Sequence, residues 1–306
     1  MTRAEEFEAR SPMLFAIAYR MLGSVHDAED AVQETWLRYD ATPTVPTSSK
    51  AFLAATVTHI AIDLLRSARV RRETYVGPWF PAPLLTDPYE DPERAVELAG
   101  SLSMAALVVL ERLSPLERAV FVLRDVFGFG FAEIASAMGR SEAACRQLAV
   151  RARRHLHAGR PRFPADPQRR AELAQRFFDA FRAGDVDALQ TFLAADIRLV
   201  GDSGAEAPRW PPVVGAGRVA RLLASLQAAC GQLGVVMEEH SLNGQPGAMF
   251  WDRDRRVLNT WSLDISHKRI EVIRAVINPE KLAHLGPVGH LADVLRAASR
   301  VHRTSD

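Results

Sequence analysis

FAEIASAMGRSEAACRQLAVRARRH, residues 131–155, carries two apolar helical patterns parted by a single glycine. Ala135 is small where two helices must cross closely, Gly139 permits a left-handed turn, and Cys145 and Leu148 face back toward Ile134 of the first helix. The spacing predicts a helix-turn-helix. Ser141 is expected to cap its second helix, whose exposed side offers Glu142, Arg146, Gln147 and Val150 near the start and Arg151, Arg153 and Arg154 further on. A recognition helix reads base edges with its N-terminal half, while arginines near its end hold phosphates. Arg146 and Gln147 are therefore the candidate base readers, the first suited to guanine and the second to adenine, at about 1–3 kcal/mol of discrimination per good pair.

Outward from this motif the chain reads as helix on both flanks. Ser114, Pro115 and Glu117 combine a cap, a first-turn proline and a capping-box acid, so a helix starts there. Gly128 and Gly130 break the pattern before the helix-turn-helix, and a proline-containing stretch, 159–167, closes the region that began near Leu102. Toward the N-terminus, Leu14, Ala18, Met21 and Leu22, then Ala31, Val32, Thr35 and Trp36, recur at helical spacing. Ser24 and Asp27 resemble a capping box, and a further helix is expected from about Ala51 to Arg69.

Between Tyr75 and Pro92 lie Pro78, Pro81, Pro83, Pro88 and Pro92, which withhold backbone donors and disfavour helix in the residues before them. This stretch reads as a linker, able to span on the order of 90 Å if about thirty residues were fully extended. After residue 167 the character changes. Two helical segments, 170–183 and 186–193, lead into strand-like runs at 197–200, 234–240, 248–251, 257–265 and 269–277, divided by turn signals such as Asn243-Gly244. The expected third domain is α+β with an antiparallel sheet.

Composition narrows the function classes. The 306 residues are 48% apolar and 25% charged, enough for packed cores and too many for one ordinary domain. No run is apolar enough to span a bilayer and the start is polar, so the expected location is the cytoplasm. Cys145 and Cys230 are far apart without neighbouring ligands, and there is no phosphate-cradling glycine loop, so neither a metal nor another cofactor is expected. The net charge of +1 hides a local excess: 140–162 holds seven arginines against Glu142 alone, and Arg66, Arg69, Arg71 and Arg72 form a second cluster. Two basic faces point to two contacts with a polyanion.

DAEDAVQETWLR (27–38) resembles the polymerase-binding helix of extracytoplasmic-function (ECF) sigma factors, and AFLAATVTHIAIDLLRSARVRR (51–72) is similar to their promoter-melting helix. Residues 114–156 resemble the same family's domain for the upstream promoter element. The resemblance implies that Asp30, Gln33, Glu34 and Leu37 meet core RNA polymerase. It further implies that Thr58, His59, Asp63, Arg66, Arg69, Arg71 and Arg72 lie at the −10 element, with His59 standing where many relatives have Asn. Ser141, Glu142, Arg146, Gln147, Val150, Arg151, Arg153 and Arg154 are the corresponding −35 residues. Carboxylates on the first of these surfaces suit a protein partner, since they repel phosphate.

RAELAQRFFDAFRAGDVDALQTFLAADIRLVGD (170–202) is similar to SnoaL-like domains of the nuclear-transport-factor-2 superfamily, a curved sheet and helices forming a cone. WFPAPL (79–84) and NPEKL (278–282) point to the ECF subgroup that carries this domain. That resemblance implies an internal regulator docking on the linker and helical domains through Trp79, Phe80, Pro81, Pro83, Leu84, Asp202, Asn278, Pro279, Glu280, Lys281 and Leu282. The subgroup's glycine-rich acidic run is here GDSGAEAP (201–208).

The expected divisions are a polymerase- and −10-binding domain at 1–73, a linker at 74–100, a −35-binding domain at 101–160, a SnoaL-like domain at 167–285 and a tail at 286–306. The expected molecule is a monomeric, non-enzymatic initiation factor with promoter DNA and core polymerase as partners. The alternative is a DNA-binding protein whose cavity domain is a small-molecule sensor or a cyclase- or isomerase-like enzyme, with Asp202, Glu206, His240 and Asp264 as its polar candidates.

Overall fold

The computed structural model describes residues 2–43, 46–73, 77–157, 166–204 and 211–291, the side chains of 68–73 and 157 excepted. Two compact units result: Met1–Thr74 with Thr86–Arg160, and Tyr75–Leu85 with Pro161–Asp306. The proline-rich segment thus contributes to both, its first part to the second unit.

The helical unit begins with α1 (Arg3–Glu8), α2 (Ser11–Leu22), α3 (Val25–Asp40) and α4 (Ser49–Glu73). α2 is buried along most of its length because Met13, Leu14, Ile17, Ala18, Met21 and Leu22 leave it no polar face, and it packs against both α3 and α4. Gly23, at φ 68°, ends it in a left-handed cap, and the Ser24 hydroxyl accepts the Asp27 N–H at 3.2 Å to start α3.

A 3-10 turn at Pro92–Arg94 leads into α5 (Ala95–Leu102), followed by α6 (Met104–Leu110), α7 (Pro115–Phe121), α8 (Phe131–Met138) and α9 (Glu142–His157). Residues 92–100, expected as linker, are therefore largely helical: Asp91 accepts the Glu93 N–H and Pro92 occupies a first-turn position where it needs no donor. α7 has the full capping box of Ser114 and Glu117 and runs into a π-helical turn at Val122–Val126.

Arg20 and Arg118 tie the two halves of this unit together. Arg20 is fully buried, and its guanidinium reaches Asp87 at 2.7 Å, Ser101 Oγ at 2.8 Å and the Leu98 carbonyl at 3.1 Å. Arg118 donates to the Arg20 carbonyl at 3.0 Å and pairs with Glu111 at 2.6 Å. The buried Arg20 guanidinium is tolerated because its fork of donors is matched in this way.

The second unit contains α10 (Pro167–Ala183), α11 (Val186–Phe192), β1 (Leu193–Asp202), β2 (Val213–Val214), α12 (Ala216–Leu233), β3 (Val236–Leu242), β4 (Gln245–Trp251), β5 (Val257–Ser266), β6 (Arg269–Val276) and α13 (Pro279–Leu282). Among the described residues the sheet has six strands in the order β2-β1-β6-β5-β4-β3. It is mixed, not wholly antiparallel as expected, because β1 pairs with β6 in parallel. Long α-helical and hairpin connections lie between those two strands, and a parallel pairing requires such a crossover. Phe177, Phe181, Leu223, Phe250, Trp261 and Ile273 are part of the core between the helices and one face of the sheet.

Candidate polymerase, DNA and linker-docking surfaces

On α3 the spacing that buries Ala28, Ala31, Thr35 and Tyr39 turns Asp30, Gln33 and Leu37 outward and leaves Glu34 half-buried. Leu37 is 56% exposed, an apolar side chain on the same helix as the carboxylates of Asp30 and Glu34. Glu34 pairs with Arg38 at 2.8 Å and Asp30 lies 3.6 Å from His26.

On α4, His59, Asp63 and Arg66 are exposed, the last two 3.3 Å apart. Thr58 is not on that surface. It is 1% exposed, with its hydroxyl donating to the Ala54 carbonyl at 2.7 Å, which satisfies the group without solvent or DNA. The side chains of Arg69, Arg71 and Arg72 lie outside the described residues.

The helix-turn-helix has the expected joint. Gly139 sits at φ 60°, and the Arg140 N–H reaches the Ala135 carbonyl at 3.0 Å. The Ser141 hydroxyl accepts the Ala144 N–H at 3.2 Å, capping α9, while Cys145 and Leu148 are buried. Arg146, Gln147, Val150 and Arg151 line one shallow surface depression. Arg146 pairs with Glu142 and lies over the Phe131 ring, 5.4 Å from its centre, so its fork is held in place near the start of the helix. Arg153 is engaged by Asp125 at 2.6 Å and Arg151 lies 3.4 Å from Glu117, whereas Arg154 is exposed. Burial pushes the Glu117 carboxyl up, but the Ser114 hydroxyl and N–H with nearby His155 and Arg151 outweigh it and hold the group below the ordinary value of 4.5.

In the second unit, the linker segment meets the end of β1 at Asp202 and the β3–β4 turn at Asn243. Phe80, Pro81, Ala82, Pro83 and Leu84 are buried and Trp79 is half-buried. The prolines leave the N–H groups of Phe80, Ala82 and Leu84 as the donors needing partners. The Phe80 N–H donates to Asp202 Oδ2 at 2.8 Å, and Leu84 donates to Asn243 Oδ1 at 3.0 Å while accepting the Asn243 N–H at 2.7 Å. Lys281 donates to the Phe80 carbonyl and to Asp202 Oδ2, both at 2.6 Å, and lies 4.2 Å from the Trp79 ring centre.

Several expected docking residues act on one another. Asn278 caps α13 through the Glu280 N–H at 3.1 Å, with Pro279 in the first turn, and so aims Lys281 at the linker. Leu282 is fully buried and Glu280 is exposed. The Asp202 carbonyl accepts the Ile277 and Asn278 N–H groups at 2.7 and 3.0 Å. Gly204, at φ 82°, has the Asn278 side chain 3.0 Å from where a Cβ would lie, so the turn after Asp202 takes only glycine without strain. Asn243, Arg274 and His284 belong to the same docking site and were not anticipated: Arg274 lies 5.9 Å from the Phe80 ring centre and His284 Nε2 is 2.7 Å from the Pro83 carbonyl.

Among the described residues, the polar groups considered for proton chemistry have separate partners. Asp202 is committed to the linker, Asp264 pairs with Arg274, and His240 lies 3.6 Å from Glu238 on β3. Glu206 lies outside the described residues.

Family comparisons match this arrangement segment by segment: Sigma-70 region 2 over residues 7–71, Sigma-70 region 4 over 103–156 and a SnoaL-like domain over 174–276. The ECF RNA polymerase sigma factor SigJ of Mycobacterium tuberculosis is 44% identical over 224 residues, 72% of each chain. The chain belongs to the ECF sigma factor family. A probable ECF sigma factor of the same organism, SigI, is 29% identical over 90% of this sigma factor and 93% of its own length. The crystal structure of SigJ superposes with a TM-score of 0.71, covering 92% of this chain and 98% of its own. Membership makes core RNA polymerase and promoter DNA the partners of this sigma factor. No helix among its described residues is long and apolar enough to cross a membrane.

Proposed function

We propose that this sigma factor initiates transcription in the cytoplasm as a monomeric, non-enzymatic specificity subunit whose activity is set by its own SnoaL-like domain. Asp30, Gln33, Glu34 and Leu37 form the polymerase contact, and His59, Asp63 and Arg66 with the arginines that follow them form the −10 contact. Arg146 and Gln147 read the −35 element, and Arg154 holds its backbone. The bound linker segment is the regulator's handle.

The observation that supports this regulation most is the satisfaction of linker backbone groups by the third domain: Phe80 by Asp202 and Lys281, and Leu84 by Asn243. A passive spacer has no need of a buried carboxylate to receive its amide. On the polymerase the linker must connect two DNA-binding modules, so a segment held at residues 79–84 has less length to offer. Docking therefore opposes promoter engagement. The test is run-off transcription with core polymerase, comparing the full chain with a chain ending at Pro161. Initiation by both at different rates is expected; no initiation by either would remove the reading.

A further inference from the structure

Phe131 is the first residue of α8 and lies outside the recognition helix α9, yet two guanidiniums meet its ring. Those of Arg124 and Arg146 are 4.9 and 5.4 Å from the ring centre, both inside the roughly 6 Å reach of a cation–π contact. The ring is held at its base. Glu133 accepts the Gly130 N–H at 2.7 Å and fixes the backbone that leads into Phe131. Arg124 donates to the Phe129 carbonyl at 2.9 Å, so the second guanidinium on the ring is anchored to the turn just before it.

Arg146 is therefore braced from two elements. Phe131 of α8 lies under its guanidinium, and Glu142, one turn earlier on α9, accepts a hydrogen bond from its Nη2. A guanidinium has five N–H donors and a guanine takes two of them through O6 and N7, so the pair with Glu142 leaves enough for a base. The Arg146 side chain is still 57% exposed, which keeps the head open to a groove while its direction is fixed. An unsupported arginine is spread over many rotamers, and ordering it on DNA subtracts from the discrimination it gives; a head ordered beforehand avoids that loss.

We propose that Phe131 is a specificity-determining positioning residue, which from α8 orders the Arg146 guanidinium for two-pronged contact with one guanine of the −35 element. The inference rests on Arg146 being a base reader. Phe131 acts through Arg146 alone, so its ring governs preference at one base pair and leaves the phosphate contacts as they are.

The test measures binding of the full chain with core polymerase to a promoter fragment located by genomic binding. Copies of the fragment carry 7-deazaguanine, which lacks the N7 acceptor, at each guanine of the −35 element in turn. One such replacement is expected to weaken wild-type binding roughly tenfold, and Arg146→Ala to abolish that penalty. Phe131 is half-buried, so leucine is accommodated there. Phe131→Leu is expected to reduce the penalty by a factor of roughly two to five, the worth of an exposed cation–π contact, with the salt dependence unchanged. Phe131→Tyr should retain the penalty, since it keeps the aromatic face. Phe131→Leu added to Arg146→Ala should weaken binding no further. No penalty in the wild type, or one that persists in Arg146→Ala, would overturn the reading of Arg146 and the proposal with it. A penalty abolished by Arg146→Ala but unchanged in Phe131→Leu, or reduced equally in Phe131→Tyr, would overturn the proposal alone. So would a larger penalty in Phe131→Leu, which would mean that the ring holds Arg146 away from the base. Equal weakening by Phe131→Leu with and without Arg146 would overturn it too, since the ring would then only pack the helix-turn-helix.

Discussion

The Asp202 carboxylate receives the backbone N–H of Phe80 at 2.8 Å across 122 residues of sequence. Asp202 is fully buried and also holds Lys281, so its removal strands an ammonium that is only 12% exposed. Breaking a buried pair by deleting one partner costs about 3–5 kcal/mol. Asp202→Ala is therefore expected to speed amide hydrogen exchange at Phe80 by roughly a hundredfold or more, while core strands such as β5 keep their protection. Unchanged exchange at Phe80 would mean that the carboxylate does not hold the linker.

Arg20 performs a comparable task in the helical unit. Arg20→Ala leaves Asp87, Ser101 and the Leu98 carbonyl without their shared donor. A loss of about 3 kcal/mol is expected in urea denaturation of the full chain, at the low end for a buried pair because Asp87 keeps some access to water. A loss below about 1 kcal/mol would show that the helices hold without it.

Acid should weaken α7 through its capping box. Glu117 has its carboxyl held below 4.5 by the Ser114 donors and neighbouring positive charge, despite burial. A depressed folded value means that the contribution is present above the unfolded value and is lost as pH falls through the folded one. The wild type should therefore lose its advantage over Glu117→Gln, about 1 kcal/mol, below roughly pH 4.5. NMR titration of the Glu117 carboxyl carbon checks this directly, and a midpoint at or above 4.5 would contradict it.

The arginines of α9 are not equivalent. Both Arg153 and Arg154 are exposed, but Arg153 is paired with Asp125 at 2.6 Å. Arg154→Ala should lower −35 DNA affinity and reduce the salt slope by roughly one, with Arg153→Ala doing less. Gln147→Ala should instead relax sequence preference, by about 1–3 kcal/mol at one base pair. Competition binding with matched and substituted promoter fragments separates the two effects.

Local signals explain why the helix-turn-helix was readable before the structure. Gly139 and Ser141 mark a joint by backbone chemistry alone, as do Ser114 and Glu117 at α7. The helix α12 was not anticipated, because it starts at Gly215 with no side-chain cap and no acid in its first turn. Asn243-Gly244 announced a turn, but its hold on Leu84 joins residues 159 apart, which no local pattern encodes. Thr58 misled because its polarity suggested a surface, whereas the Ala54 carbonyl satisfies its hydroxyl inside the bundle. The parallel pairing of β1 with β6 is likewise a long-range outcome.

Self-regulation through the linker is tested most directly by run-off transcription from a single promoter, located by genomic binding, with core polymerase saturated by wild type or by Asp202→Ala. Both proteins should initiate at the same start site, and Asp202→Ala should do so faster because its linker is free to extend. Equal or slower initiation by Asp202→Ala, with the Phe80 amide shown to be released, would contradict a docked linker as the restraint.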